Sequence, residues 1–249
     1  MATVLRSDRA LRTLDPDARA RLAALTPHVA PGALAVERSY PVHAALEPLL
    51  PQGLMRGTTV ASTGQAAAST ALLLAAGASQ AGSWTAVAGC PGFSPQAAVE
   101  AGVDLARVVV VRGAEALDDA TVGQVLGAMI DGFDVVVVGA VHRLRAGTAR
   151  RLQARLQTRG AVLVVVGDPG TFAADLRVVT RCRWQGLGDG HGHLRAREVE
   201  VVVDGRRVPR PRRETLWFPD AAGRVSGRRH HVTHVDTGAL GPAALERAG

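Results

Sequence analysis

The chain predicts an α/β fold: a mostly parallel sheet flanked by helices, extended by antiparallel strands toward the C-terminus. Three observations predict it. Val-rich runs without in/out alternation recur between residues 57 and 168, the pattern of strands buried on both faces. Helical stretches separate those runs, as right-handed βαβ crossovers require. After residue 170 the extended segments become more polar and alternate, which suits antiparallel pairing at a sheet edge.

Taken in order, residues 8–25 read as helix, broken near Asp15-Pro16. A Pro-punctuated lead-in with a short helix near 42–50 follows. "GTTVAST" (57–63) is a strand and 66–79 a helix; "SWTAVAGC" (83–90) is a strand and 94–102 a short helix. "ARVVVVRG" (106–113) precedes a helix at 119–132, "FDVVVVGAV" (133–141) precedes a helix at 146–159, and "AVLVVVGD" (161–168) closes the alternation. "DLRVVTRCRWQG" (175–186) and "HLRAREVEVVVDG" (193–205) read as strands around the hairpin loop "LGDGHG" (187–192). Three regions result: a helical segment over 1–39, a core over 40–205, and an Arg/Pro-rich tail over 206–249, expected to be partly disordered.

The composition narrows the chemistry. Of 249 residues, 47% are hydrophobic but only 3% aromatic, so the core is built from Val, Leu and Ala. All 29 basic residues are Arg; the chain has no Lys to reach a nucleotide's β/γ-phosphates or to form a Schiff base. The net charge of +7 is unevenly spread: residues 1–140 carry 9 Arg and 12 acids, while residues 141–213 carry 16 Arg and 6 acids. Such asymmetry points to nucleic acid or an acidic partner; the plain alternative is an Arg-rich surface. Two cysteines make no disulfide framework. With no run of 18 apolar residues and no signal-peptide pattern, a soluble, cytoplasmic protein is expected, with no membrane contact.

"ASTGQAAASTALLLAAG" (61–77) has the outline of a phosphate-binding loop, which would read G-x-x-x-x-G-K-[ST]. Counted from Gly64, the second glycine position is Ser69, the lysine position Thr70 and the hydroxyl position Ala71. The buried strand "DVVVVGA" puts Gly139 where a metal-binding Asp is needed, and "TAVAGC" ends without a water-activating acid. Four missing parts, the lysine, the hydroxyl and both acids, argue against ATP hydrolysis and tight ATP binding, so no catalytic residue and no cofactor are expected. Thr63, Gln65, Ser69 and Thr70 offer a cap for a weakly held anion, or plain helix capping. The strand–turn–helix is expected to persist as architecture, with Ala66 to Ala68 closing the turn.

The stretch "GLMRGTTVASTGQAAASTALLLAAGASQAGSWTAVAGC" resembles the RecA-type core, in which L-x-R-G leads into strand, loop, helix and strand. "GVDLARVVVVRG", "DGFDVVVVGAV" and "ARRLQARLQTRGAVLVVVGD" fall where the later RecA elements fall, so the resemblance covers roughly residues 40–205. With "RCRWQGLGDGHGHLRAREVEV" the chain resembles actinobacterial RecA-like proteins of the ImuA-prime kind. That resemblance implies an accessory factor for mutagenic translesion synthesis in the SOS response to DNA damage. Its implied partner is an ImuB-like polymerase-family protein, with an error-prone replicative-type polymerase indirectly and DNA or RecA as further contacts.

Two other segments are candidates for contact. "RLRAGTARRLQARLQTR" (143–159) carries six Arg and no acid. Leu144, Leu152 and Leu156 should face the sheet, leaving Arg143, Arg150, Arg151, Arg155 and Arg159 for phosphates or an acidic partner, or as a solvated face. "RVPRPRRETLWF" offers Arg210, Arg212, Arg213, Trp217 and Phe218 as a linear partner-binding element; equally, it is a strand folding back on its own domain. His191 and His193 near Cys182, or His230, His231 and His234, supply no clear set of four ligands, so no metal is expected. Alternatives to the accessory factor are a SulA-like cell-division inhibitor on a RecA-like fold and a plain DNA-binding module.

Overall fold

The structure is a computed structural model and describes residues 3–5, 39–90, 92–113, 118–139, 144–188, 191–206 and 208–227. One ten-stranded sheet runs through it, in the order β1-β6-β5-β7-β8-β4-β9-β10-β11-β12. The strands are β1 (Thr3–Leu5), β4 (Thr59–Gly64), β5 (Thr85–Ala88), β6 (Val108–Val111), β7 (Val135–Gly139), β8 (Val162–Val166), β9 (Leu176–Gly188), β10 (His191–Gly205), β11 (Val208–Trp217) and β12 (Ser226–Gly227). A separate two-stranded sheet pairs β2 (Ser39–Tyr40) with β3 (Leu54–Met55). The helices are α1 (Ala67–Gln80), α2 (Pro95–Glu100), α3 (Asp119–Gly132) and α4 (Ala146–Arg159).

The Val-rich strands take the inner places because both of their faces must be covered. Val135, Val136, Val162, Val164 and Val165 are fully buried. One core forms under α1 and the 40–54 lead-in, and a second under α3 and α4 on the opposite face. From Thr70 to Ser79, α1 is buried all round, as expected for a helix with no polar stripe. The lead-in covers its outer side and is tied down through Tyr40. That hydroxyl lies 3.1 Å from Asp134 Oδ1 and 3.2 Å from the Gly160 carbonyl, and the Arg56 guanidinium sits over the ring. Burial and the Asp134 carboxylate push the Tyr40 phenol well above its usual pKa, keeping it a donor.

The antiparallel extension begins one strand later than expected. β9 still runs parallel to β4, with Ala61 opposite Arg177 and Gly64 opposite Thr180, and antiparallel pairing starts at β10. The expected tail also needs correction. Residues 208–217 form β11, paired with β10 over Arg212–Trp217 and again at Val208 across a register shift that spans Pro209–Pro211, and Phe218 is only 6% exposed. Pro209 and Pro211 obscured this strand in the sequence; an edge strand tolerates prolines because its outer donors need no ladder partner. Among the described residues β12 covers that edge at Leu216 and Trp217. At the other end, Thr3–Leu5 adds a parallel strand beside β6 within the segment expected to be helical. Residues 8–25 and 228–249 lie outside the described residues.

Candidate interaction surface at the carboxyl edge of the sheet

β4 to β9 all end on one edge, the edge at which open α/β sheets bind ligands. Only Gln65 and Ala66 separate β4 from α1 there. A phosphate loop needs a run of backbone N–H groups wrapped around an anion. Here the equivalent residues, through Ser69 and Thr70, are already helical. Thr70 is 1% exposed and Ala71 fully buried. The turn is closed by protein atoms: Ala66 N–H donates to Thr180 Oγ1, Thr180 Oγ1 donates to the Thr63 carbonyl, and Ser62 Oγ donates to the Ala67 carbonyl. The Gln65 carboxamide accepts from Cys182 N–H at 2.7 Å, and the Ala66 N-cap makes no side-chain capping bond. Gly64 sits at φ 91°, where a Cβ would fall 2.0 Å from the Thr180 carbonyl oxygen. β4 therefore lies directly against β9 at the Gly64–Thr180 pair.

Two further glycines meet as closely at the ends of β5 and β7. Gly89 follows β5 and Gly139 ends the adjacent β7, and a Cβ on Gly139 would lie 2.3 Å from the Gly89 oxygen. Cys90 is half-buried beside them.

The α4 arginines divide into two groups. Leu144, Leu152 and Leu156 are buried, as the spacing requires. Arg155 donates through Nε to Asp131 Oδ1 at 2.6 Å and through Nη2 to Oδ2, and Arg159 Nη2 donates to the Asp131 carbonyl at 2.6 Å. Those bonds tie α4 to α3 and hold the Arg155 guanidinium more firmly protonated. Arg150 and Arg151 are exposed, with Arg151 reaching back to Thr148 Oγ1 at 3.4 Å. Arg143 lies outside the described residues.

In β11, the fold-back reading of the tail is the one observed. Arg212 Nη1 donates to the Leu49 carbonyl, Arg213 pairs with Glu200 at 2.7 Å, and Phe218 belongs to the core. Phe218 is thereby removed as a partner-binding anchor; Arg210 remains exposed.

One element was missed from the sequence. β9 leaves β4 past the Thr180–Gly64 pair, and beyond the Arg183–Glu198 pair, where β10 ends its pairing with β11 at Trp217, β9 and β10 continue as a two-stranded ribbon. Gly186 on β9 stands opposite a bulge between Gly192 and Ala196 on β10. A Cβ at Gly186, at φ 103°, would meet the His193 carbonyl oxygen at 2.2 Å. The bulge displays Leu194, 48% exposed, and Arg195. Trp184 is 46% exposed, and the Arg197 guanidinium lies 5.2 Å from its ring centroid. Arg197 is itself held by donation from Nε to the Phe218 carbonyl. On the opposite face, Arg181 and Arg183 stand in register across from Glu200 and Glu198. With Gln65 and Thr215 these residues line an open polar groove of about 690 Å³. The sequence signal was present in "RCRW" and "HLRAR": arginines alternating around an aromatic on two facing strands. Among the described residues no three His, Cys, Asp or Glu side chains group as metal ligands, and no helix is long and apolar enough to cross a membrane.

Comparison with known proteins places this architecture. The structure is similar to the crystal structure of the RadB recombinase, with a TM-score of 0.52 at 16% identity, covering 72% of this chain and 95% of that one. The fold is therefore RecA-like. The family described as MT3502 N-terminal domain matches residues 48–171. The uncharacterized protein Rv3395c of Mycobacterium tuberculosis (strain ATCC 25618 / H37Rv) is 32% identical over 193 residues, which cover 75% of this chain and 78% of that protein. At that identity and coverage the chain belongs to the same family as Rv3395c.

Proposed function

We propose that this protein is a non-catalytic RecA-like accessory factor of DNA-damage-induced mutagenic translesion synthesis. It acts by binding an ImuB-like polymerase-family protein and by contacting DNA, without turnover of nucleotide. The observation that carries the non-catalytic part is the turn at Gln65–Ala66. Residues that would wrap a triphosphate are inside α1, Thr70 stands buried at the lysine position, and Gly139 replaces the metal-binding acid. An uncompensated triphosphate would meet no Lys anywhere in the chain. The RecA-like fold and the basic 141–213 segment support the DNA-damage setting; the partner rests on the resemblance in sequence.

Two measurements test this reading. Steady-state ATP hydrolysis with Mg²⁺, with and without single-stranded DNA, is expected to stay at the level of a mock preparation. Turnover abolished by substitution near Gly64 overturns the non-catalytic assignment. Co-purification with the ImuB-like protein is expected in both orders of addition, and clean failure in both removes the partner.

A further inference from the structure

We infer that the β9–β10 ribbon is a single-stranded DNA contact, with Trp184 as a base-stacking platform and Arg195 as a phosphate contact. The inference deepens the DNA-contact part of the proposed function, rests on that part alone, and is independent of the protein partner.

The chemistry comes from four features of the ribbon. First, it projects. The last tie to the body on β9 is the Cys182 N–H bond to Gln65, and at roughly 3.4 Å per residue the strands beyond Arg183 reach about 20 Å past it. Second, it exposes an aromatic ring that is already oriented. Trp184 is nearly half exposed, and Arg197 is fixed against it from the side of the body by the Phe218 carbonyl. A ring held this way loses little freedom when a base stacks on it, and stacking tolerates any base.

Third, the charge is one-sided. Residues 181–197 carry four Arg and a single acid, Asp189. The face of the ribbon that bears Trp184 has Thr180 and Cys182 on β9, with Arg197 and Val199 on β10, and no carboxylate. A protein partner of ordinary composition would have to bring its own acids to this face, whereas every nucleotide brings a phosphate. Fourth, the bulge opposite Gly186 turns Leu194 and Arg195 outward instead of continuing the ladder. Bulges re-aim side chains in this way, and here they place an apolar contact and a cation beside the tryptophan strand.

The test is fluorescence anisotropy of a labelled twenty-nucleotide oligothymidine, titrated with the full chain at several salt concentrations. A duplex of the same length is run in parallel. The wild type is expected to bind the single strand, with affinity falling linearly in log–log against salt. Trp184→Ala is expected to weaken binding by roughly 5-fold or more while leaving the salt slope unchanged, and Trp184→Phe to retain most of the affinity. Arg195→Glu is expected to flatten the slope by about one unit or more. Each variant is first shown to unfold at the wild-type temperature. Absence of wild-type binding overturns the inference. So does unchanged affinity in Trp184→Ala, or a duplex preference that Trp184 does not affect. Failure to bind the ImuB-like protein while Trp184-dependent oligonucleotide binding persists removes that partner and leaves this surface standing.

Discussion

Gly89 and Gly139 touch through their backbones at the ends of β5 and β7, so closely that a Cβ on Gly139 would sit 2.3 Å from the Gly89 oxygen. Returning an acid to this position cannot rebuild a metal site, because the first atom of the side chain already collides. Gly139→Asp is expected to lower stability by about 2 kcal/mol or more in urea titration without creating ATPase activity. Gly139→Ala should cost a similar amount, since the Cβ is the cause. A neutral alanine variant would show that the two strands separate easily.

Gly64→Ala combines a left-handed backbone with a Cβ 2.0 Å from the Thr180 oxygen. A loss of roughly 2–4 kcal/mol is expected. Hydrogen exchange at Ala66 and Cys182, whose N–H groups bind Thr180 Oγ1 and Gln65, should rise with it. Protection that survives the substitution would place the strain elsewhere.

Phe218 anchors the returning strand. Phe218→Ala is expected to cost about 3–4 kcal/mol and to sensitise residues 208–227 to limited proteolysis before the parallel core is cut. A variant as protease-resistant as the wild type would mean that β11 is held by its ladder with β10 alone.

His43 begins the short turn under α1: its Nδ1 accepts from Ala45 N–H at 3.1 Å. Burial pushes the imidazole below its usual pKa, only partly offset by Glu47. On acidification from about 6.5, the unfolded chain takes up the proton before the folded one. Stability carried by neutral His43 is therefore complete above that pH and is lost as pH falls through the depressed folded value. Thermal unfolding should show the wild type losing stability between roughly pH 7 and pH 5 relative to His43→Asn, which keeps an acceptor but does not titrate. Parallel curves would remove His43 as the source.

Much of this architecture is legible before any coordinates. Runs such as Val135–Val138 can only be inner strands, and α4 is bounded by its leucine spacing and by Gly160, which ends it in the left-handed conformation. Other features are hidden for physical reasons. The Gln65–Ala66 turn is invisible in composition because alanines serve loop and helix alike; only the Thr180 contacts decide between them. β11 is masked by prolines that an edge strand tolerates. Exposure of Trp184 depends on the ribbon running past the edge of the sheet, and the bulge between Gly192 and Ala196 shifts the alternation from which a face would be read. The involvement of Arg155 and Arg159 with Asp131 depends on how α3 and α4 pack, which no local pattern encodes.

The prolines of β11 also bear on how this molecule meets others of its kind. Pro209 and Pro211 leave gaps in the row of donors along a margin that, among the described residues, β12 covers at Leu216 and Trp217, and Arg210 and Arg213 crowd it with charge. A second chain arriving there finds no continuous seam to zip onto. Growth of the sheet from one molecule into the next is blocked along this side, and fibres propagated through it are disfavoured even at high concentration. Copies that do meet on this side must do so through side chains, in contacts that salt can dissolve.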